Sequence, residues 1–169
     1  MSVTIHVEYS NCDIDMANTY SQIHIQLVFA VKFRRGVILK SWRQDLFKYM
    51  TGIVQSRGHK LLCINGVEDH VHLLIGLRPT QAVSMLVQEI KRGSATWIND
   101  NRLVAGKFSW QEGFGVFSYS PRALDNVIQY IQNQEEHHHK RTFIDEFAAM
   151  LKEFNIEFDS RYTFKDLEE

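Results

Sequence analysis

Two cysteines, Cys12 and Cys63, are all the thiols in 169 residues. They form no metal spacing such as CxxC and suggest no disulfide framework. No apolar run approaches the roughly 20 residues that a membrane span needs. The opening stretch, MSVTIHVEYSNCDID, has neither the basic flank nor the apolar core of a secretory signal. The expectation is a reducing bacterial or archaeal cytoplasm and no membrane partner. There is also no internal repeat, low-complexity block or Pro/Gly-rich linker, so one domain with its own core is the simplest reading. A strong net charge is missing too, the formal value being -1. The charges are unevenly spread, however. After Arg141 eight acids face three bases, which leaves residues 1–141 with 16 bases against 12 acids. A mildly basic body with an acidic tail is compatible with a phosphate-bearing partner without demanding one.

What is present divides the chain into three parts. Residues 1–16 read as an N-terminal extension, because the pattern restarts at MANTYSQIHIQLVFAV, with Met16 an alternative start. Residues 17–141 hold the periodic segments, and 142–169 form an acidic, partly helical tail whose Phe147, Met150, Leu151 and Phe154 could dock on the body or on a partner subunit. From Tyr20 to Lys32, Ile23, Ile25, Leu27, Phe29 and Val31 alternate with Gln22, His24 and Gln26, the period of a strand with one buried face. KSWRQDLFKYMTGIVQSRG switches to helical period, with a Ser41–Gln44 capping box and Gly58 as its stop. HKLLCING and HVHLLIGL follow as strands separated by Val67, Glu68 and Asp69, a hairpin length. Pro79 and Thr80 are expected to open a second helix with Val83, Leu86, Val87 and Ile90 inward, followed by a short strand within KFSWQEGFGVFSY. SPRALDNVIQYIQNQEEHHHK reads as one third helix, with Ser120 as N-cap and Pro121 in its first position. The order β-α-β-β-α-β-α, two split βαβ halves on one mostly antiparallel four-stranded sheet, predicts an α+β ferredoxin-like sandwich.

Within EDHVHLLI, His70 and His72 flank a single valine. On a strand they project to one side about 7 Å apart and can converge on one ion, while Val71, Leu73 and Ile75 point into the core. Two partly exposed histidines with no common ligand would look the same in sequence. On the third helix, Leu124, Val127, Ile128 and Ile131 mark the buried face, with Tyr130 and Gln134 one turn apart on its flank and His137 nearby. A half-buried tyrosine and a solvated glutamine are the plain alternative. If this helix crosses the sheet face bearing the histidines, two imidazoles, an amide oxygen and a phenol meet. Two N donors and one O donor with open positions suit Mg2+ or Mn2+, and the absence of cysteine ligands argues against structural zinc. A tyrosine nucleophile suits a strand that must be cut and resealed, since an aryl phosphodiester retains the energy of the broken bond.

DHVHLL, IKRGSA, WQEGF and YIQNQ, in that order, resemble the single-tyrosine HUH transposases of the insertion-sequence 200/605 type. The likeness spans roughly Tyr20 to His139. It implies that His70, His72 and Gln134 bind the metal and that Tyr130 is the nucleophile. It further implies a homodimer with shared active sites that acts on single-stranded DNA hairpins at element ends through a 5′-phosphotyrosine. Candidate DNA contacts are Arg34, Arg35, Lys91 and Arg92, together with Lys32, Lys140 and Arg141. Trp42, Trp97 and Trp110 could stack on unpaired bases or fill the core. His137, in the HHHK run, could support the metal site, contact phosphate or simply end the helix. A histidine-triad hydrolase needs a third histidine where Leu74 stands, and two-histidine phosphodiesterases need a second H-x-T/S motif that is missing. Rolling-circle initiators and relaxases share HUH but are commonly larger, often with paired tyrosines. The remaining alternative is a non-catalytic or domesticated hairpin-binding protein of the same fold.

Overall fold

Strand β1 (His24–Ala30) is buried along its whole length in the computed structural model, which describes residues 20–159. The extension 1–16, the alternative start at Met16 and the last ten residues of the tail lie outside the described residues. A strand with one wet face was expected, but both faces of β1 are covered. Ile25, Leu27, Phe29 and Val31 enter one core with Leu46, Phe47 and Met50 of α1 (Lys40–Ser56) and Leu86, Val87 and Ile90 of α2 (Val83–Asp100). Val28 and Ala30 enter a second core on the opposite face, with Phe143, Phe147 and Met150.

The sheet is completed by β2 (Lys60–Gly66), β3 (His70–Gly76) and β4 (Gly115–Tyr119). Its order is β2-β3-β1-β4 with every neighbouring pair antiparallel, so each of the two βαβ units has a strand of the other inserted in it. This is the expected ferredoxin-like α+β arrangement. Helices α1 and α2 cover one face, and α3 (Leu124–Gln132), α4 (Gln134–Lys140) and α5 (Phe143–Glu153) lie beyond β4 in the chain. Cys63 and Leu74 meet Val127 and Ile131 of α3 on the second face. Fully burying each large aliphatic or aromatic side chain contributes about 1.5–3 kcal/mol.

Several expected boundaries differ. Helix α1 begins at Lys40 with Leu39 in the N-cap position and no side-chain cap, so Ser41 already lies in the first turn and the capping box does not form. Gly58 does follow the helix end, at φ +72°. Helix α2 opens at Val83 rather than at Pro79–Thr80, which form a preceding turn. Pro121 starts a 3-10 turn (Pro121–Ala123), and Ser120 makes no capping bond. The single third helix is two, broken at Asn133. Helix α5, from the acidic tail, is capped by Thr142, whose hydroxyl accepts from the Asp145 amide at 3.3 Å. It packs on this chain's own sheet. Gly115 permits that seat, because a Cβ there would come within 2.5 Å of the Phe147 ring.

Candidate functional site

His70 and His72 leave β3 on the face opposite Val71, Leu73 and Ile75, as the alternation requires. Both are 0% exposed, so the partial exposure that one reading allowed is excluded. Their ring centroids are 5.1 Å apart. The Nδ1 atom of His70 is 2.7 Å from Asp69 Oδ1, and its ring lies 4.5 Å from that of Phe143. His72 Nδ1 is 2.8 Å from Gln26 Nε2, and Gln26 Oε1 accepts from Tyr119 Oη at 2.9 Å. Each imidazole is thus oriented through Nδ1, which leaves both Nε2 atoms aimed at a common space. Among the described residues the buried Nε2 atom of His72 has no hydrogen-bond partner.

Tyr130 and Gln134 reach that space from either side of the Asn133 break. The break is held by the body of the protein. Asn65 Nδ2, on β2, donates to the carbonyls of Ile131 and Gln132 at 2.9 Å each, satisfying the last turn of α3. In the β2–β3 ladder Asn65 stands directly opposite His72. On the other side of the break, buried Arg43 of α1 donates to Glu135 at 3.0 Å and to Glu68 at 2.9 Å, and Lys40 meets Glu135 at 2.9 Å. Gln134 is fully buried with Oε1 3.1 Å from His70 Nε2, and the Tyr130 ring lies 5.9 Å from that of His72.

A residue that the sequence reading did not single out occupies the centre. Glu146 of α5, 7% exposed, accepts from the Tyr130 hydroxyl and, at 2.8 Å, from Gln134 Nε2. Its two oxygens are 3.5 Å from His70 Nε2 and 3.5 Å from His72 Nε2. Its signal in the sequence was positional: on α5 it falls among Phe143, Phe147 and Met150, a charge inside an apolar stripe. Burial opposes an imidazolium at His70, but hydrogen bonding and attraction from Asp69 and Glu146 outweigh it and lift the pKa to about 9. A protonated His70 donates from both nitrogens, which matches its acceptors on either side. Burial dominates at His72 and lowers it to about 3, so that ring is neutral. Burial would raise Glu146, yet its contact with His70 holds the carboxyl well below the usual carboxylate range. Burial, then the Glu146 charge, push the Tyr130 phenol well above its ordinary value.

The donor set fits a divalent cation. Donors about 2.1 Å from one ion lie about 3.0–3.4 Å from one another at right to tetrahedral angles. The separations of 3.1 and 3.5 Å among His70 Nε2, His72 Nε2, Gln134 Oε1 and Glu146 are close to that. His70, His72 and Glu146 each direct a ligand atom into the cluster. The Asp69–His70 contact has the form in which a carboxylate orients a metal-binding imidazole.

The remaining expected residues are spread more widely. His137 lies against Tyr130, with ring centroids 5.1 Å apart. Arg34, Lys140 and Arg141 line a cavity beside Asp69 and Phe143, and exposed Arg35 borders a second one. Lys91 is bound to the carbonyls of Gln111 and Gly113 at 2.6 and 2.8 Å, a loop tether, and Arg92 is exposed on α2. Trp42 and Trp110 are core residues, while Trp97 stacks on Tyr49 with centroids 5.5 Å apart. Among the described residues no helix is long and apolar enough to cross a membrane.

Comparison with known proteins bears on the family and the fold. Residues 19–134 match the family described as "Transposase IS200 like". The ISDra2 transposase TnpA of Deinococcus radiodurans is 23% identical over 120 residues, covering 68% of this chain and 86% of that protein. A crystal structure assigned as a transposase of Deinococcus radiodurans R1 superposes with a TM-score of 0.58 at 24% identity, covering 72% of this chain and 97% of the other. The structure of a REP-associated tyrosine transposase bound to a REP hairpin gives 0.57 at 15% identity, covering 92% and 96%. At these identities the two solved structures speak for the fold. The family match ends at Gln134, so Glu146 and α5 lie beyond it.

Proposed function

Because this chain belongs to the IS200-like transposases, we propose that it cuts and rejoins single-stranded DNA at hairpin-flanked element ends, with Tyr130 as nucleophile and His70, His72 and Gln134 holding Mg2+ or Mn2+. Glu146 is proposed as a fourth donor. One observation carries the reading: the phenol, both imidazoles and the amide of Gln134 all converge on a single buried carboxylate. Residues 17–141 form the proposed catalytic body, completed by α5.

A bound metal would polarise the phosphate and favour the phenolate. The Tyr130 oxygen attacks phosphorus, the bond to the 3′-oxygen breaks, and a 5′-phosphotyrosine and a free 3′-hydroxyl result. The phenol gives up its proton, and the departing 3′-oxygen takes one up. Resealing runs the same exchange backwards. Forming an ordinary phenolate at pH 7 costs about 4 kcal/mol, and the cost at Tyr130 is higher while the Glu146 charge is uncompensated. Asp69 and Gln26 set the ring orientations, and Asn65 with Arg43 sets where Tyr130 stands. The proposed assembly is a homodimer with shared active sites.

Incubation with Mg2+ or Mn2+ and a single-stranded hairpin oligonucleotide tests the proposal. A covalent adduct on a denaturing gel, absent in Tyr130→Phe, is expected. Hairpin retention with no adduct would instead favour the non-catalytic binding protein.

A further inference from the structure

Three cavities form a series that ends at the site, joined by shared lining residues. The first, about 280 Å³, is bordered by Lys32, Arg35, Lys107 and Phe33. The second, about 650 Å³, shares Phe33 and adds Arg34, Lys140 and Arg141 beside Asp69. The third, about 550 Å³, shares Lys140 and Arg141 and reaches Tyr130 and Glu146. Two ridges therefore divide one trough. Phe33 forms the first and the α4–α5 junction forms the second. The trough is basic in its first two parts and mixed in the third, where Glu146 and Glu153 join Lys140 and Arg141 in the lining and Lys140 also pairs with Glu136 at 2.7 Å.

Phe33 has an unusual setting. It adopts φ 58°, ψ 20°, and Arg34 follows at φ 50°, two consecutive left-handed residues that carry a Cβ. Such backbone is costly and persists where the surroundings impose it. Here Val31 N donates to Asp69 O at 2.7 Å, Lys32 N to Ser109 O at 3.0 Å, and Arg34 N to Val31 O at 2.8 Å. The turn keeps the Phe33 ring out of both cores, with exposed Lys32 and Arg35 approaching it at 5.2 and 6.0 Å. An aromatic face between cationic cavities is the combination that holds unpaired nucleic acid, since bases stack on rings and phosphates follow cations. The carboxylates Asp69 and Asp145 also line the middle cavity, but they are engaged by His70 and Thr142.

We propose that this trough is the track of the unpaired DNA strand, with Phe33 stacking on a base upstream or downstream of the cut and Lys140 and Arg141 gripping the phosphate that passes over the second ridge to Tyr130. The track rests on the functional reading above, and it adds a subsite which holds the strand independently of hairpin recognition.

The test uses Tyr130→Phe as the uncleaving parent and fluorescein-labelled dT12 as the probe, followed by anisotropy at 50 and 200 mM NaCl. A base–aromatic stack worth about 1–3 kcal/mol corresponds to about 5- to 150-fold in affinity. Phe33→Ala should weaken binding by that factor, and Phe33→Trp should retain it within about threefold. Phe33→Gly removes the ring while relaxing the left-handed turn, so its binding should fall without any fall in melting temperature. Replacing Lys140 and Arg141 with Gln together should reduce the slope of log K against log salt by about 1.4, from about 0.7 for each single-strand phosphate contact. Binding of dT12 by Phe33→Ala and Phe33→Gly equal to the parent's overturns the track, as does a parent that does not bind dT12. If no adduct forms in the cleavage assay but dT12 binding depends on Phe33, only the chemistry falls. If an adduct forms and binding ignores Phe33, only the track falls.

Discussion

Replacing Glu146 with glutamine keeps the volume and the hydrogen-bonding length at the centre of the site but removes its charge. The structure sets the size of the consequence. Raising His70 from 6.5 to about 9 amounts to about 3 kcal/mol of stabilisation of its charged form. That stabilisation comes from two carboxylates, Asp69 and Glu146. Losing the Glu146 share removes roughly 1–2 kcal/mol. Turning the Tyr130 and Gln134 bonds from charge-assisted to neutral removes about 1 kcal/mol more. A total near 2–3 kcal/mol should lower the melting temperature by about 5–10 °C for a chain of this size. The assay is circular-dichroism melting of wild type and Glu146→Gln in EDTA at pH 6.5, 7.5 and 9.5. The folded-state pKa of His70 is raised, so its contribution is complete below 6.5 and disappears as pH climbs through 9. The gap between the two proteins should therefore narrow at pH 9.5. Identical melting temperatures at all three values would refute the argument that a His70 imidazolium and a Glu146 carboxylate face each other.

The two histidines titrate in opposite senses, so metal-free wild type should be most stable near pH 6.5. His72, depressed to about 3, costs up to about 5 kcal/mol as pH falls from 6.5 towards 3, while His70 costs about 3 kcal/mol as pH rises through 9; urea titrations at half-unit intervals would show a plateau instead if either assignment is wrong. Mn2+ at a hundredfold excess over its Kd should add about 2.7 kcal/mol to wild-type stability, and His72→Ala should abolish that gain in a thermal-shift measurement, the unpartnered Nε2 being lost. Asn65→Ala strips two capping bonds from α3, for which we expect about 1–3 kcal/mol of destabilisation and a larger fall in adduct yield than in hairpin retention. Equal falls in both would show that Asn65 only supports the fold.

The histidine pair was legible because a strand projects alternate residues to one side, and neither imidazole belongs in an apolar face. The sheet and its two βαβ units followed from switches between periods of two and 3.6. Capping was read less well. Ser41 and Gln44 have the spacing of a box, but Arg43 draws on the Ile38 carbonyl at 3.1 Å, and the helix starts at Lys40 with Leu39 before it. The Asn133 break has no local signature in YIQNQEE, because its cause is Asn65, 68 positions earlier. Glu146 stayed hidden among the acids of the tail. Only the docking of α5 on Val28, Ala30 and Phe117 shows that this carboxylate points inward.

The rung that joins Asn65 to His72 has a mechanical corollary. One of these two facing residues carries a proposed metal donor, and the other carries the end of the tyrosine's helix. Twisting or breathing of the sheet displaces both mounts together and leaves the gap between cation and phenol nearly constant. Substitutions that loosen α2, which carries none of the proposed donors, should therefore slow the reaction far less than any change that lets β2 slide against β3.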